Sequence, residues 1–243
     1  MGYTFNSEIL NEENIDFLRE YFTYFISRET HSALMIDQNV DDPDDPKYAH
    51  MYTDNIKAFN HLFEMPLYKE LNLDMIIDTA NQVNASNEYI KNGISIGGRD
   101  TILDTDIKIP RSKNPKEDAI CLLEAYASAL DEGDIFLAEA ILHIGLIRYQ
   151  LFEDGNHRTA NLILDYNLIK RGIAPAVITE KIRKQYLDFI NTTNVKELAE
   201  LLKIQSNKES IMLDSLYEKY KNQKRKTLLK CTQCQGLNKK ERV

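Results

Sequence analysis

The chain has 243 residues, 43% of them hydrophobic, with a formal charge of −8 and only 9 Gly and 6 Pro. That mix favours helices, and an acidic body argues against a nucleic-acid partner. No apolar run reaches the ~18 residues needed to span a bilayer. Met1–Glu13 lacks the basic start and apolar core of a secretory signal, and three cysteines make no disulfide framework, so a cytoplasmic protein with no membrane partner is expected.

Ile9–Ser27 carries Ile15, Leu18, Phe22, Phe25 and Ile26 at helical spacing, and Leu34–Val40 continues that helix or begins a second. Asp41–Pro46, with two prolines and four acids, is a loop. Met51–Phe63 is amphipathic, with Ile56, Phe59 and Leu62 on one face, and Leu67–Asn84 is a further helical run. Ile94–Pro110 alternates apolar and polar residues around Gly97-Gly98, which predicts a β-hairpin. Glu117–Leu130 is helical, and Ile135–Tyr149 is apolar enough to be buried on most sides. Asn156–Arg171 is the next helix, stopped by Gly172. Thr179–Asn191, Val195–Lys203 and a polar stretch from Lys208 to about Lys226 complete the predicted helices. Nine Lys or Arg against one Glu follow from Lys219 to the end, and Cys231-Thr-Gln-Cys234 is half a zinc site. The expected organisation is a helical region over 1–50, a domain over 51–213, and a polar helix with a basic tail over 214–243.

The richest stretch is Tyr149-Gln-Leu-Phe-Glu-Asp-Gly-Asn-His-Arg-Thr-Ala-Asn161. A short Gly-containing turn leads straight into a helix, whose positive end and exposed N–H groups suit an anion. Arg158 brings a guanidinium suited to phosphate oxygens, and Asp154 a carboxylate suited to Mg²⁺. The same turn also reads as an ordinary helix–helix connection with an Asn cap. His143 lies two turns before Gln150, roughly 10 Å along a helix axis, and reads as a core histidine. His157 either touches phosphate or faces solvent.

This segment resembles the signature of the Fic (Fido) family, His-x-Phe-x-(Asp/Glu)-Gly-Asn-x-Arg-x-x-Arg, through Phe152, Asp154, Gly155, Asn156 and Arg158. It departs twice: Gln150 stands where the family has its catalytic histidine, and Asn161 where it usually has a second arginine. The hairpin upstream and the pair Tyr186–Asn191 and Val195–Leu202 downstream extend the resemblance over roughly Met51–Leu213. It implies a mainly α fold, a Fic-like helical bundle with one β-hairpin flap. Members mostly transfer AMP from ATP onto a protein hydroxyl; others transfer phosphate, UMP or phosphocholine. The chemistry is in-line attack at phosphorus, which needs positioning, charge neutralisation and a proton acceptor.

The roles implied are specific. Asp154 would hold Mg²⁺ against the phosphates of ATP or another nucleotide. Gly155 and Asn156 would form the anion cradle, with His157 and Asn161 beside it, and Arg158 would bind a phosphate oxygen. Phe152 would pack into the core. A protein target would dock on the hairpin at 94–110 by strand addition, and homo-oligomers are left open. Gln150 cannot accept a proton as imidazole can, and general-base catalysis contributes roughly 10²–10⁴-fold. In regulated members a Ser/Thr-x-x-x-Glu-(Gly/Asn) helix blocks the site. The nearest match, His31–Asn39, has Asp37 for the glutamate, Gln38 for Gly or Asn, and Ser32 one residue too far away, an eroded motif. The resemblance thus points to a nucleotide- or phosphate-binding protein with weakened or lost AMP transfer. The alternatives are an active nucleotidyl- or phosphoryl-group transferase of altered chemistry, and a helical interaction module without ligand.

Overall fold

The computed structural model describes residues 9, 14–37, 40–64, 69–87, 93, 96 and 113–238. They form eight α-helices: α1 Ile15–Asp37, α2 Ala49–Glu64, α3 Leu73–Val83, α4 Pro115–Asp131, α5 Ile135–Arg148, α6 Asn156–Lys170, α7 Arg183–Thr192 and α8 Val195–Asn238. The mainly helical fold is as expected, and no β-strand occurs among the described residues. The hairpin expected at 94–110 lies, but for residue 96, outside them.

The structure decides one boundary that the sequence left open and moves two others. No Gly or Pro separates Ser27 from Leu34, so α1 is one helix that stops before Pro43. Helix α3 starts at Leu73 because the Asn72 side chain accepts the Met75 N–H at 3.1 Å, closing the first turn. Val195–Lys203 and Lys208–Lys226 are parts of a single helix of 44 residues. The polar residues between them mark a contact, not a turn: Ser206 is fully buried and its hydroxyl donates to the Ala174 carbonyl at 2.6 Å.

Helix α6 is the axis of the fold. Every residue from Asn156 to Ile169 is buried, so it packs on all sides. One side joins α5 through a core that includes Ile144, Ile147, Leu151, Phe152, Ile163 and Leu202. The other joins Phe25, Phe59, Leu62, Tyr166, Leu213 and Tyr217, drawn from α1, α2, α6 and α8. Residue 213 lies inside α8, and Tyr217 meets Phe17 of α1 with ring centroids 5.2 Å apart.

Polar side chains of so buried a helix need partners in the core. Asn167 donates to Glu139 Oε2 at 3.1 Å, and Tyr126 donates to Glu139 Oε1 at 2.9 Å. Burial pushes the Glu139 carboxyl up to about 7, against the pull of nearby Arg171. Asp165 accepts the Ala176 N–H at 2.8 Å and lies beside Glu29 of α1. Among the described residues no helix is long and apolar enough to cross a membrane.

Candidate functional site

The α5–α6 connection is a seven-residue turn, 149–155, with two left-handed residues. Helix α5 is capped by Tyr149, and Gln150 then takes φ +45°. Left-handed backbone costs a non-glycine roughly 1–2 kcal/mol, and the Gln150 side chain offsets this. Its Nε2 donates to the Ile147 carbonyl at 2.8 Å, the same carbonyl that its own backbone N–H reaches at 3.3 Å, so the side chain and backbone of Gln150 fold back on the helix end together. Its Oε1 accepts from Asn156 Nδ2 at 3.3 Å.

Asn156 closes the turn from the other side. Its Oδ1 accepts the Phe152 N–H at 3.0 Å, and its Nδ2 donates to the Phe152 carbonyl at 3.0 Å. Phe152 itself is in the core, which anchors the turn. Gly155 follows at φ +76° as the N-cap of α6, a conformation natural to glycine. The α6 ladder opens with the Thr159 N–H donating to the Gly155 carbonyl at 2.8 Å. By helical geometry the amides of this first turn point out of the helix end, at its positive pole.

The charged groups are oriented by α3, on the opposite wall. Asp154 Oδ1 accepts the Gly155 N–H at 2.6 Å, and Oδ2 accepts from Asn87 Nδ2 at 2.9 Å. Arg158 is buried and reaches across to α3, donating to the Val83 carbonyl at 2.8 Å and to Asn84 Oδ1 at 3.1 Å. It stands 3.6 Å from Asp154 Oδ1. Asn84 Nδ2 in turn donates to the Asp154 carbonyl at 3.2 Å and the Ala80 carbonyl at 2.8 Å. The sequence reading missed Asn84 and Asn87. Their signal was the Asn-rich run Asn81–Asn87, read only as the end of a helix.

The remaining sequence candidates fall behind this wall. His157 does not face solvent: one step around α6 from Asn156, it is buried edge-on against Tyr186, ring centroids 6.3 Å apart. His143 Nε2 hydrogen-bonds the Tyr186 hydroxyl at 2.9 Å. Burial, with His157 adding to it, drives the His143 imidazole down to about 3. His143 is therefore a neutral core residue on α5. Asn161 is buried too, and its Oδ1 meets no hydrogen-bond partner. Asp37 ends α1, while Gln38 and Asn39 lie outside the described residues.

Among the described residues no group of three or more His, Cys, Asp or Glu could hold a metal ion by itself. Mg²⁺ bound together with nucleotide phosphates needs only one or two carboxylates. Asp154, about 30% exposed and oriented by hydrogen bonds from the Gly155 N–H and Asn87 Nδ2, fits that mode.

No family model matches the chain. Over 82 residues, 32% of this chain, it is 28% identical to the protein adenylyltransferase Fic of Aedes aegypti, of which that stretch is 16%. Its fold is similar to three solved structures. Fic-1 from C. elegans superposes with a TM-score of 0.58 at 20% identity, covering 87% of this chain and 65% of that one. A Fic-domain-containing signaling protein from Bacteroides thetaiotaomicron gives 0.61 at 17% identity, covering 88% and 91%. IbpAFic2 covalently tethered to Cdc42 gives 0.53 at 15%, covering 76% and 62%. The chain thus spans about two thirds of the C. elegans structure and far less of the curated relative. With its α5–α6 turn built on Phe152, Asp154, Gly155, Asn156 and Arg158, the chain has the fold of a Fic domain.

Proposed function

We propose that this chain is a nucleotide- or phosphate-binding protein of the Fic fold in which AMP transfer is weakened or lost. The observation that carries the reading is the state of Gln150. The residue at the family's base position is a neutral amide whose two ends are engaged, one by the α5 carbonyl of Ile147 and the other by Asn156. It holds the turn together and offers no group to take a proton. The binding half of the site keeps its charged groups: Asp154, the α6 N-terminus and Arg158 supply one anion and two positive ends. Asp154 would hold Mg²⁺, which when bound neutralises phosphate charge. The α6 amides would receive phosphate oxygens, and Arg158 would add a donor from the side.

A second reading, a transferase of altered chemistry, is favoured by the retention of Phe152, Asp154, Gly155, Asn156 and Arg158 around a changed position 150. A protein target is supported by the likeness to a Fic domain tethered to Cdc42, with docking on residues 94–110.

The test is incubation with labelled ATP and Mg²⁺, alongside calorimetry. Wild type is expected to bind nucleotide and transfer little label. Asp154→Ala is expected to weaken Mg²⁺-dependent binding at least roughly tenfold, as loss of the one carboxylate ligand requires. Gln150→His is expected to raise self-modification by roughly 10²-fold, the lower range for a restored base. Wild-type transfer that Gln150→His does not exceed and Asp154→Ala abolishes would establish the second reading instead. Absence of nucleotide binding would leave a helical interaction module.

A further inference from the structure

Asp154 and Arg158 are one helical turn apart and opposite in charge, so their default is a tight pair with N···O near 2.7–2.9 Å. They stand at 3.6 Å instead. Arg158 is drawn off by two acceptors at the end of α3, the Val83 carbonyl and Asn84 Oδ1. Asp154 is drawn toward Asn87 and the Gly155 amide, both neutral donors. We infer that Asn84 and Asn87 are positioning residues that keep Asp154 and Arg158 in a lengthened ion pair of 3.6 Å, one that a ligand can open: the carboxylate for a divalent cation, the guanidinium for a phosphate oxygen.

The chemistry of the two side chains suits this task. An amide N–H orients a carboxylate without cancelling its charge, whereas Lys or Arg at position 87 would occupy the coordination that a cation needs. An amide carbonyl restrains a guanidinium without the strength of a carboxylate, so a phosphate can compete for it. Asn84 uses both ends of its amide: its carbonyl takes Arg158, and its N–H groups take the backbone carbonyls of Ala80 and Asp154. It also fixes the register between the walls, because a Cβ at Gly155 would lie 2.6 Å from Asn84 Nδ2. These contacts span 67 to 74 residues of chain. The arrangement is thus built by docking α3 against α6 and not by the turn alone.

The inference deepens the nucleotide-binding reading and rests on it, but part of its test does not. The Gly155 N–H is bonded to the carboxylate that Asn87 orients, so its hydrogen exchange reports Asp154 in the ligand-free protein. Asn87→Ala in the full chain is expected to speed exchange at Gly155 about 5–20-fold, while leaving the unfolding midpoint and core amides unchanged. It is expected to weaken Mg²⁺-dependent binding of ATP by a similar factor. Asn84→Ala is expected to weaken binding with and without Mg²⁺, because Arg158 then closes on Asp154. Asn84→Asp keeps an acceptor for Arg158 but is expected to restore nothing, since the added carboxylate competes with phosphate. If wild type binds no ATP, the nucleotide reading falls while the exchange result still decides whether Asn87 orients Asp154. Unchanged Gly155 exchange in Asn87→Ala, or a loss of global stability equal to the loss at Gly155, would overturn the positioning role.

Discussion

Gly155→Ala is expected to destabilise the fold by about 2–4 kcal/mol, a fall in melting temperature of about 5–15 °C for a chain of this size. Two effects add. Left-handed backbone at φ +76° costs an alanine roughly 1–2 kcal/mol. The new methyl also has nowhere to go, at 2.6 Å from Asn84 Nδ2 and 3.1 Å from Val83 Cγ1. Overpacking of that kind costs typically ~1–3 kcal/mol. Gly172 separates the two terms. It has φ +71° but nothing within 4 Å of an added Cβ, so Gly172→Ala is expected to cost only the backbone part, about 2–8 °C. Thermal unfolding of both variants decides it. Equal losses would mean that α3 does not press on the turn. Nucleotide binding should fail in Gly155→Ala and persist in Gly172→Ala.

Glu29→Gln is expected to stabilise the protein at pH 8 and to leave it unchanged at pH 5. Glu29 and Asp165 are fully buried between α1 and α6, within hydrogen-bonding reach of each other. Among the described residues no donor from another residue reaches either Glu29 oxygen or Asp165 Oδ2. The pair is therefore bonded only when one of the two carries a proton. Burial raises both carboxyls, Asp165 to about 7, with Glu209 of α8 adding to the rise and Arg28 opposing it. A carboxyl raised on folding contributes stability that is whole below its unfolded value near 4 and is lost as pH climbs through about 7. The slope is about 1.4 kcal/mol per pH unit for each proton. A glutamine amide donates to Asp165 at every pH and has no raised carboxyl to lose, so the variant is expected to gain on wild type as pH rises from 5 to 8, by up to about 1.4 kcal/mol per pH unit. His143, held neutral with its imidazole at about 3, contributes with the opposite sign, losing stability as pH falls below about 6.5. It is common to both proteins and cancels in the difference. Chemical denaturation across pH 5–8 that gives parallel curves would sink the idea of a shared proton.

What could be read in advance was what is local. The apolar spacing of Met51–Phe63, Ile135–Tyr149 and Asn156–Arg171 places α2, α5 and α6 within a residue or two of their bounds. The turn between α5 and α6 is legible because Gly155 and Asn156 are adjacent in the chain to the helix they start. Asn84 and Asn87 were not legible, because an Asn near the end of a helical run has an adequate local explanation, and their partners lie some 70 residues away. Glu29 and Asp165 were not legible, since no periodicity distinguishes a buried acid from a solvated one. Gln150 was noticed for the base that it replaces. That it would take positive φ and cap α5 follows only from how the two helices meet.

Helix α8 has an electrical consequence. At 44 residues and 1.5 Å per residue it is about 66 Å long. Of the chain's 30 Lys and Arg, nine lie beyond residue 218, with only one of its 38 Asp and Glu; the two parts carry −16 before that point and +8 after it. Six of those nine cations are on α8 itself, up to Lys230. The molecule is therefore a permanent dipole with a rigid helical axis between its poles. A charged surface would exert a torque on it before contact, over the ~10 Å that 0.1 M salt leaves unscreened. An acidic surface would meet the far end of α8 first, and a basic one would meet the body.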